Sequence, residues 1–275
     1  MRIATISALL LTGCASANMS DPALNERVSP APEVTASLPL FSRSGYLKPA
    51  EYPDLSPLVG VPPAEGPPGV DRDERLRDAA IALRGTLRYT QAQADADLRA
   101  PNPLDLYSCA ANAVLSGDTA PLSTALLKRV AIDFGLSTRD VKARYERVRP
   151  FAQHGAASCT PAEEILRSNG SFPSGHSAIG WGWGLILSEL FPERTDALLE
   201  RGYEFGQSRV ICDVHWQSDV DAGRIAASAI YARLHGVPGF REDMDAARLE
   251  LANARPPAPP VDVCEAEEAM FNTGD

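Results

Sequence analysis

No two cysteines in this chain are spaced C-x2-C, no stretch is long and apolar enough to cross a bilayer, and no segment alternates in the manner of a half-buried strand. The first absence argues against a four-thiolate zinc site. The second argues against a multi-spanning membrane protein, since the apolar run from Ala178 to Leu190 is too short to span and reads as buried core. The third argues against a sheet, and the lack of a fixed-period repeat argues against a solenoid. Positive charge is also scarce. Twenty-six Lys and Arg face 36 Asp and Glu, for a net charge of −10, so neither nucleic acid nor an anionic membrane is an expected partner. A hydrophobic share of 44% is ordinary for a globular chain with a core.

Against that acidic background, basic and imidazole groups gather in one region. Ser171 to Asp219 holds His176, Arg209, His215 and Asp219, and KARYERVRP just upstream adds Lys142 and Arg149. Three cations, two imidazoles and a carboxylate suit a bound phosphate and a histidine that attacks it. Lys142 and Arg149 are seven apart, which predicts one helix facing both the same way, ended by Pro150. Pro173-Ser174-Gly175-His176 predicts a tight turn opening a helix, whose free N–H groups at Ser174 and Gly175 form an anion site. His215 and Asp219, four apart, predict a shared helical face on which the carboxylate fixes the imidazole tautomer.

The ordered pattern K-x6-RP, PSGH and SR-x5-H-x3-D resembles that of the type-2 phosphatidic acid phosphatase and vanadium haloperoxidase superfamily. The text from roughly Gly45 to Arg248, including GSFPSGHSAIGW and RGYEFGQSRVICDVHWQSDVDAGR, is similar to the bacterial class A non-specific acid phosphatases. The resemblance implies an all-α, single helical-bundle domain. It implies His215 as nucleophile, Asp219 as its orienting carboxylate and His176 as general acid and base. Lys142, Arg149, Ser174, Gly175 and Arg209 become phosphate ligands. No metal or cofactor is expected, vanadate or sulfate should bind as phosphate analogues, and small phosphomonoesters are the expected substrates. A homodimer is the assembly the resemblance favours. A lipid phosphate phosphatase, a vanadium-dependent haloperoxidase and a catalytically silent anion-binding lipoprotein are the alternatives. Asp213 stands where that family often has glycine, and a carboxylate there is expected to repel anionic substrate or to raise the charge needs of the site.

Residues 1–14 read as an export signal, and Leu11-Thr12-Gly13-Cys14 resembles the bacterial lipobox, which implies cleavage before Cys14 and its lipidation. A periplasmic, membrane-anchored lipoprotein follows as the expectation. Cys109, Cys159, Cys212 and Cys264 then remain, an even number that suggests two disulfides. Four cysteines allow three pairings. The favoured one joins Cys159 to Cys212, which flank the motifs, and leaves Cys109 with Cys264.

Residues 15–69, dense in Pro and Ala, read as a tether and extended arm, 70–254 as the helical domain and 255–275 as a C-terminal tail whose stretch from Pro256 to Pro260 is loose. Within the domain, Asp71 to Leu98 reads as one amphipathic helix with Leu76, Ala80, Leu83 and Leu87 toward the core. A second is expected near Leu104 to Leu115, and a third from about Pro121 to Gly135. Ser137-Thr138-Arg139-Asp140 reads as a capping-box start for the helix bearing Lys142. Ser174 to Leu190, uncharged between His176 and Glu189, reads as the buried central helix, its glycines marking close packing.

Overall fold

The computed structural model describes residues 44–64, 68–98, 100, 102–160 and 163–271. Cys14, the leader and the first part of the expected tether lie outside them. Every regular element among the described residues is helical: α1 (Ser56–Val59), α2 (Gly69–Ile81), α3 (Leu87–Asp95), α4 (Ser108–Ala111), α5 (Pro121–Ser137), α6 (Arg139–Tyr145), α7 (Pro150–Gln153), α8 (Glu163–Arg167), α9 (Gly175–Leu190), α10 (Thr195–Ile211), α11 (Gln217–Leu234), α12 (Pro238–Asn253) and α13 (Val261–Phe271), with 3-10 turns at Pro49–Glu51, Pro103–Tyr107 and Pro192–Arg194.

The axis is α9, which packs against α5, α10 and α11. Trp183, Ile186 and Leu187 are fully buried along it, against Phe134, Phe205 and Ile230. Each such side chain contributes about 1.5–3 kcal/mol by leaving water. The three interior glycines of α9, Gly180, Gly182 and Gly184, cost roughly 1 kcal/mol each in propensity. A Cβ at Gly180 would overlap the Phe205 ring, one at Gly182 the Phe134 ring, and one at Gly184 would crowd the Leu198 carbonyl. The missing side chains let two aromatic rings and a neighbouring helix lie on the α9 backbone. Trp183 is buried and satisfies its indole N–H on Leu127 O at 2.8 Å.

The described part of the arm is seated on α5. The buried Asp133 carboxylate accepts the amides of Tyr46 (2.7 Å) and Leu47 (3.0 Å) and the Tyr52 hydroxyl (3.0 Å). Tyr46, Leu47 and Leu55 enter the core.

Several local expectations are corrected. Asp71 to Leu98 is two helices, because the chain turns at Gly85, whose φ of +83° suits a residue without Cβ. Leu76 is 37% exposed and Leu87 56%, whereas Asp73, Arg77 and Ala80 form the buried face of α2. That face meets polar chain, so charges with partners outcompete leucine there. Only a 3-10 turn and the one-turn α4 form near Leu104 to Leu115. Thr138 is already helical, and its hydroxyl donates to Gly135 O (2.9 Å) instead of capping α6. Lys142 and Arg149 do not share a helix. Glu146 turns left-handed (φ +42°), the chain extends through Arg149, and Pro150 opens α7 instead of closing α6; proline fits the first helical position and forces extended backbone before it. Beyond Pro260 the tail is helical: α13 is tied by Cys264–Cys109, and its Phe271 ring lies 5.2 and 5.3 Å from the guanidinium carbons of Arg88 and Arg201.

At Gly223, α11 crosses α9 so closely that a Cβ would overlap Ser174 O and meet Ser177. Gly223→Ala is expected to destabilise the fold by about 1–3 kcal/mol through overpacking, although alanine favours a helix by roughly 1 kcal/mol. Denaturant unfolding measures this, and an unchanged or raised midpoint contradicts the close approach.

Candidate active site

Four chain segments deliver the predicted residues to one cleft of about 530 Å³, lined by Lys142, Arg149, Gly175, His176, Arg209 and His215. Ser174 and Asp219 stand directly behind it. Apolar groups, among them Leu136, Ile165 and Ile179, form part of its wall.

The start of α9 is set by Ser174, the N-cap, whose hydroxyl oxygen accepts the Ser177 amide at 3.2 Å. Ser174 does not offer its own amide to the cleft, because that N–H donates to Asp219 O at 2.9 Å. That amide braces α9 against α11. One residue on, Gly175 forms the cleft wall with no side chain to fill it. His176 follows, and its Nε2 lies 3.2 Å from Ala96 O. A carbonyl only accepts, so Nε2 carries hydrogen and Nδ1 is the nitrogen left to exchange a proton.

Arg209 arrives on the last turn of α10. That helix ends at Ile211, and the chain folds back so that the Val214 and His215 amides both donate to Arg209 O (3.2 and 3.3 Å). The Cys159–Cys212 disulfide anchors the turn, and with Cys109–Cys264 it completes the favoured pairing. His215 therefore precedes α11 instead of sharing its face with Asp219, which occupies the first turn and accepts the Trp216 amide at 2.9 Å. The ring and carboxylate still meet: His215 Nδ1 is 3.4 Å from Asp219 Oδ2, longer than a formed hydrogen bond. On the other side, Arg149 Nη1 is 3.0 Å from His215 Nε2. A guanidinium only donates, so Nε2 must accept. That assigns His215 as the neutral tautomer with hydrogen on Nδ1, toward Asp219, and a lone pair on Nε2.

The cations are held in an unusual way. Lys142 Nζ donates to the carbonyls of Gly170 (2.9 Å) and Ser171 (3.1 Å). Arg149 donates to the carbonyls of Leu166 (2.9 Å), Asn169 (3.0 Å), Val214 (2.8 Å) and Gly170 (3.2 Å). Arg209 is 1% exposed, and its Nε and Nη1 have no hydrogen-bond partner among the described residues. None of the three forms an ion pair with a carboxylate among those residues, so their charge is positioned but not cancelled. Burial pushes Arg209 down to about 9 and Arg149 down to about 10; both stay charged in neutral and acidic solution. Lys142 is lowered by burial first and then by Arg149. His215 is held well below its ordinary value by burial, then by Arg149, Lys142, Arg209 and His176. His176 is lowered by burial and by Arg209, against a smaller upward effect of the Ala96 carbonyl. Burial raises Asp219, opposed first by Arg147.

Asp213 departs from its expected effect. Its carboxylate faces away from the cleft, is fully buried, and accepts Arg77 Nε (2.7 Å) and Nη2 (2.9 Å), with Arg84 at 3.5 Å. Two guanidinium groups neutralise it, so it does not repel an anion in the cleft. Its φ of +60° is a conformation that glycine adopts freely and Asp tolerates better than most residues. His154 is likewise outside the cleft wall, bonded to Glu74 at 3.1 Å.

Sequence reasoning missed Arg147 and Asp73, and it gave no partner to Asp95 or Ser208. Arg147 Nη1 donates to Asp219 Oδ1 and Ser218 Oγ, both at 2.7 Å, and Nη2 to Asp73 Oδ2 at 2.8 Å. Behind Arg209, buried Asp95 pairs with Arg201 and accepts the Ser208 hydroxyl at 2.6 Å. The only available signal was spacing: Asp73 and Arg77 are four apart on a helix whose leucines proved to lie elsewhere.

The helical bundle and its cationic cleft define a phosphatase of the PAP2 superfamily, whose model matches residues 121–241. The chain is 41% identical over 249 residues to the non-specific acid phosphatase of Providencia stuartii, covering 90% of this chain and 98% of that one. It is 40% identical over 192 residues to that of Salmonella typhimurium (69% and 77%) and 39% over 214 residues to an acid phosphatase of Zymomonas mobilis (77% and 81%). The chain belongs to the bacterial non-specific acid phosphatases; it is an acid phosphatase and hydrolyses phosphomonoesters.

Asp213→Ala is expected to lower stability by about 3 kcal/mol, because it strands a buried guanidinium, while KM for p-nitrophenyl phosphate stays within about twofold. Chemical denaturation and steady-state kinetics check both. A large rise or fall in KM with unchanged stability contradicts the assignment.

Proposed function

We propose that the enzyme hydrolyses small phosphomonoesters, namely nucleotides, sugar phosphates and aryl phosphates, through a phosphohistidine on His215, without a metal or other cofactor. The observation that carries this reading is that the lone pair of His215 Nε2 and the uncancelled charges of Lys142, Arg149 and Arg209 share one cleft.

In the first step Arg149 Nη1 shifts from His215 Nε2 to a phosphate oxygen, and the freed lone pair of Nε2 attacks phosphorus in line as the P–O bond to the alcohol breaks. Positive charge gained by the ring is met by Asp219 across Nδ1. The leaving oxygen takes a proton from the His176 imidazolium, delivered from Nδ1 because Nε2–H is held by Ala96 O. In the second step water attacks phosphorus and gives its proton to His176, and the P–N bond breaks to release phosphate. The three cations hold the equatorial oxygens throughout, which is most of what phosphoryl transfer asks of a protein. An alcohol can replace water in the second step, giving transphosphorylation.

His176 must be protonated in the complex, yet burial and its cationic neighbours lower it in the free protein. A dianion bound among those cations restores its basicity, so anion binding takes up a proton. Sulfate, dianionic throughout the range, separates this effect from titration of the ligand. Its stabilisation of the fold is expected to be larger at about pH 5 than at about pH 8, read as a thermal shift. Equal shifts, or a larger one at the higher pH, contradict the role of His176.

The central test is trapping. Brief reaction with labelled p-nitrophenyl phosphate and an acid-labile, base-stable adduct on His215 are expected, with adduct and turnover absent in His215→Ala and unaffected in the parent by chelator. Wild-type turnover in that variant ends the proposal. Bromide oxidation with added vanadate distinguishes the haloperoxidase alternative. No helix among the described residues is long and apolar enough to cross a membrane. Export to the periplasm with lipid on Cys14, and a homodimer in solution, complete the proposed setting.

A further inference from the structure

The nucleophile's segment is gripped from behind by α2. Asp73 and Arg77 lie four apart on that helix, and both are buried, at 1% and 7% exposure. Arg77 holds the Asp213 carboxylate on one side of His215. On the other side Asp73 accepts the Ser218 amide at 2.9 Å, the Ser218 hydroxyl, and Arg147 Nη2 at 2.8 Å. Arg147 closes the chain on Asp219 Oδ1 at 2.7 Å, and its guanidinium carbon lies 5.4 Å from the Trp216 ring centre. Asp219 Oδ1 is thereby engaged and Oδ2 is fixed by the Trp216 amide, which leaves Oδ2 as the oxygen 3.4 Å from the imidazole.

We infer that Arg147, held by Asp73, is a positioning residue for the phosphatase reaction: it orients Asp219 toward His215 Nδ1 and balances its charge. Two features favour this over plain structural support. A planar fork can reach Asp219, Ser218 and Asp73 at once, and no other side-chain cation is hydrogen-bonded to the Asp219 carboxylate among the described residues. Asp73 and Arg77 also fix both ends of the six-residue stretch from Asp213 to Ser218, so α2 sets where the ring stands.

The inference rests on His215 being the nucleophile and has a pH signature. Asp219 and His215 are faced by Arg147 beside Asp73, by Lys142 of α6, by Arg149 ahead of α7, by His176 of α9 and by Arg209 of α10, with the Asp213–Arg77–Arg84 group behind the loop. Removing the Arg147 cation strengthens proton binding by both members of the pair. The acid limb of kcat/KM then moves up in pH.

The experiment compares Arg147→Gln and Arg147→Lys with the parent enzyme on p-nitrophenyl phosphate. Arg147→Gln is expected to lose about tenfold or more in kcat, with KM within about twofold, and its acid limb should rise by about half a pH unit or more. Arg147→Lys keeps the charge but not the fork, so kcat should fall about threefold or more with the limb in place. An unmoved limb in a folded Gln variant, or a change in KM with kcat retained, overturns the inference. Should the Gln variant fail to fold, the Lys variant decides: parental kcat overturns the inference, and a fall at constant KM and limb supports it. Rapid-quench trapping separates the two levels. No phosphohistidine in the parent sinks the mechanism itself, whereas equal rates of adduct formation in parent and variants sink only the role of Arg147.

Discussion

Everything in this site depends on keeping positive charge buried and uncancelled. Arginines packed behind the cleft meet carboxylates: Arg77 meets Asp213, Arg201 meets Asp95, and Arg147 meets Asp219 and Asp73. Around the cleft the rule is reversed. Lys142 and Arg149 are held by main-chain carbonyls, and Arg209 leaves two nitrogens without a partner among the described residues. A carbonyl fixes a cation's place while leaving its net charge intact, and in a poorly solvated cleft that charge acts strongly on a tetrahedral dianion. Burial of this kind costs stability, which the fold offsets elsewhere.

The architecture is arranged to make that burial possible. The glycine-paved surface of α9 brings α5, α10 and α11 close enough for separate chain segments to place side chains in one cleft. The Ser174 amide joins α9 to the Asp219 carbonyl, and Gly223 lets the two helices touch there. The turn between Arg209 and His215 closes on the Arg209 carbonyl and is anchored by Cys159–Cys212. Acidic residues are abundant overall. Of the two that approach His215 most closely in sequence, Asp213 and Asp219, each carries its own guanidinium partner.

The helical class, the central helix and the identity of the cleft residues were legible because they depend on composition and ordered spacing. Local geometry was less so. A separation of seven positions between Lys142 and Arg149 suggested two helical turns, but a left-handed Glu146 and the extended backbone before Pro150 bring the pair together by another path. A separation of four positions between His215 and Asp219 suggested one helical face, yet the helix begins only at Gln217 and the carboxylate reaches back to the Trp216 amide. Partnership of charges was least legible. Asp213 read as a threat to anionic substrate, and Asp73 and Arg147 read as nothing at all, because which carboxylate meets which arginine is decided by tertiary packing. The apolar stripe of α2 misled for the same reason: Leu76 lost its core position to Asp73 and Arg77 once those had partners.

The central claim is that cations held by carbonyls keep His215 neutral, with hydrogen on Nδ1 and a lone pair on Nε2 facing the cleft. Long-range proton–nitrogen NMR of the labelled enzyme at mildly acidic pH, with the His215 signals identified by their loss in a variant, observes this directly. The account predicts a neutral ring with Nδ1 protonated. An imidazolium, or a neutral ring with its hydrogen on Nε2, would contradict it.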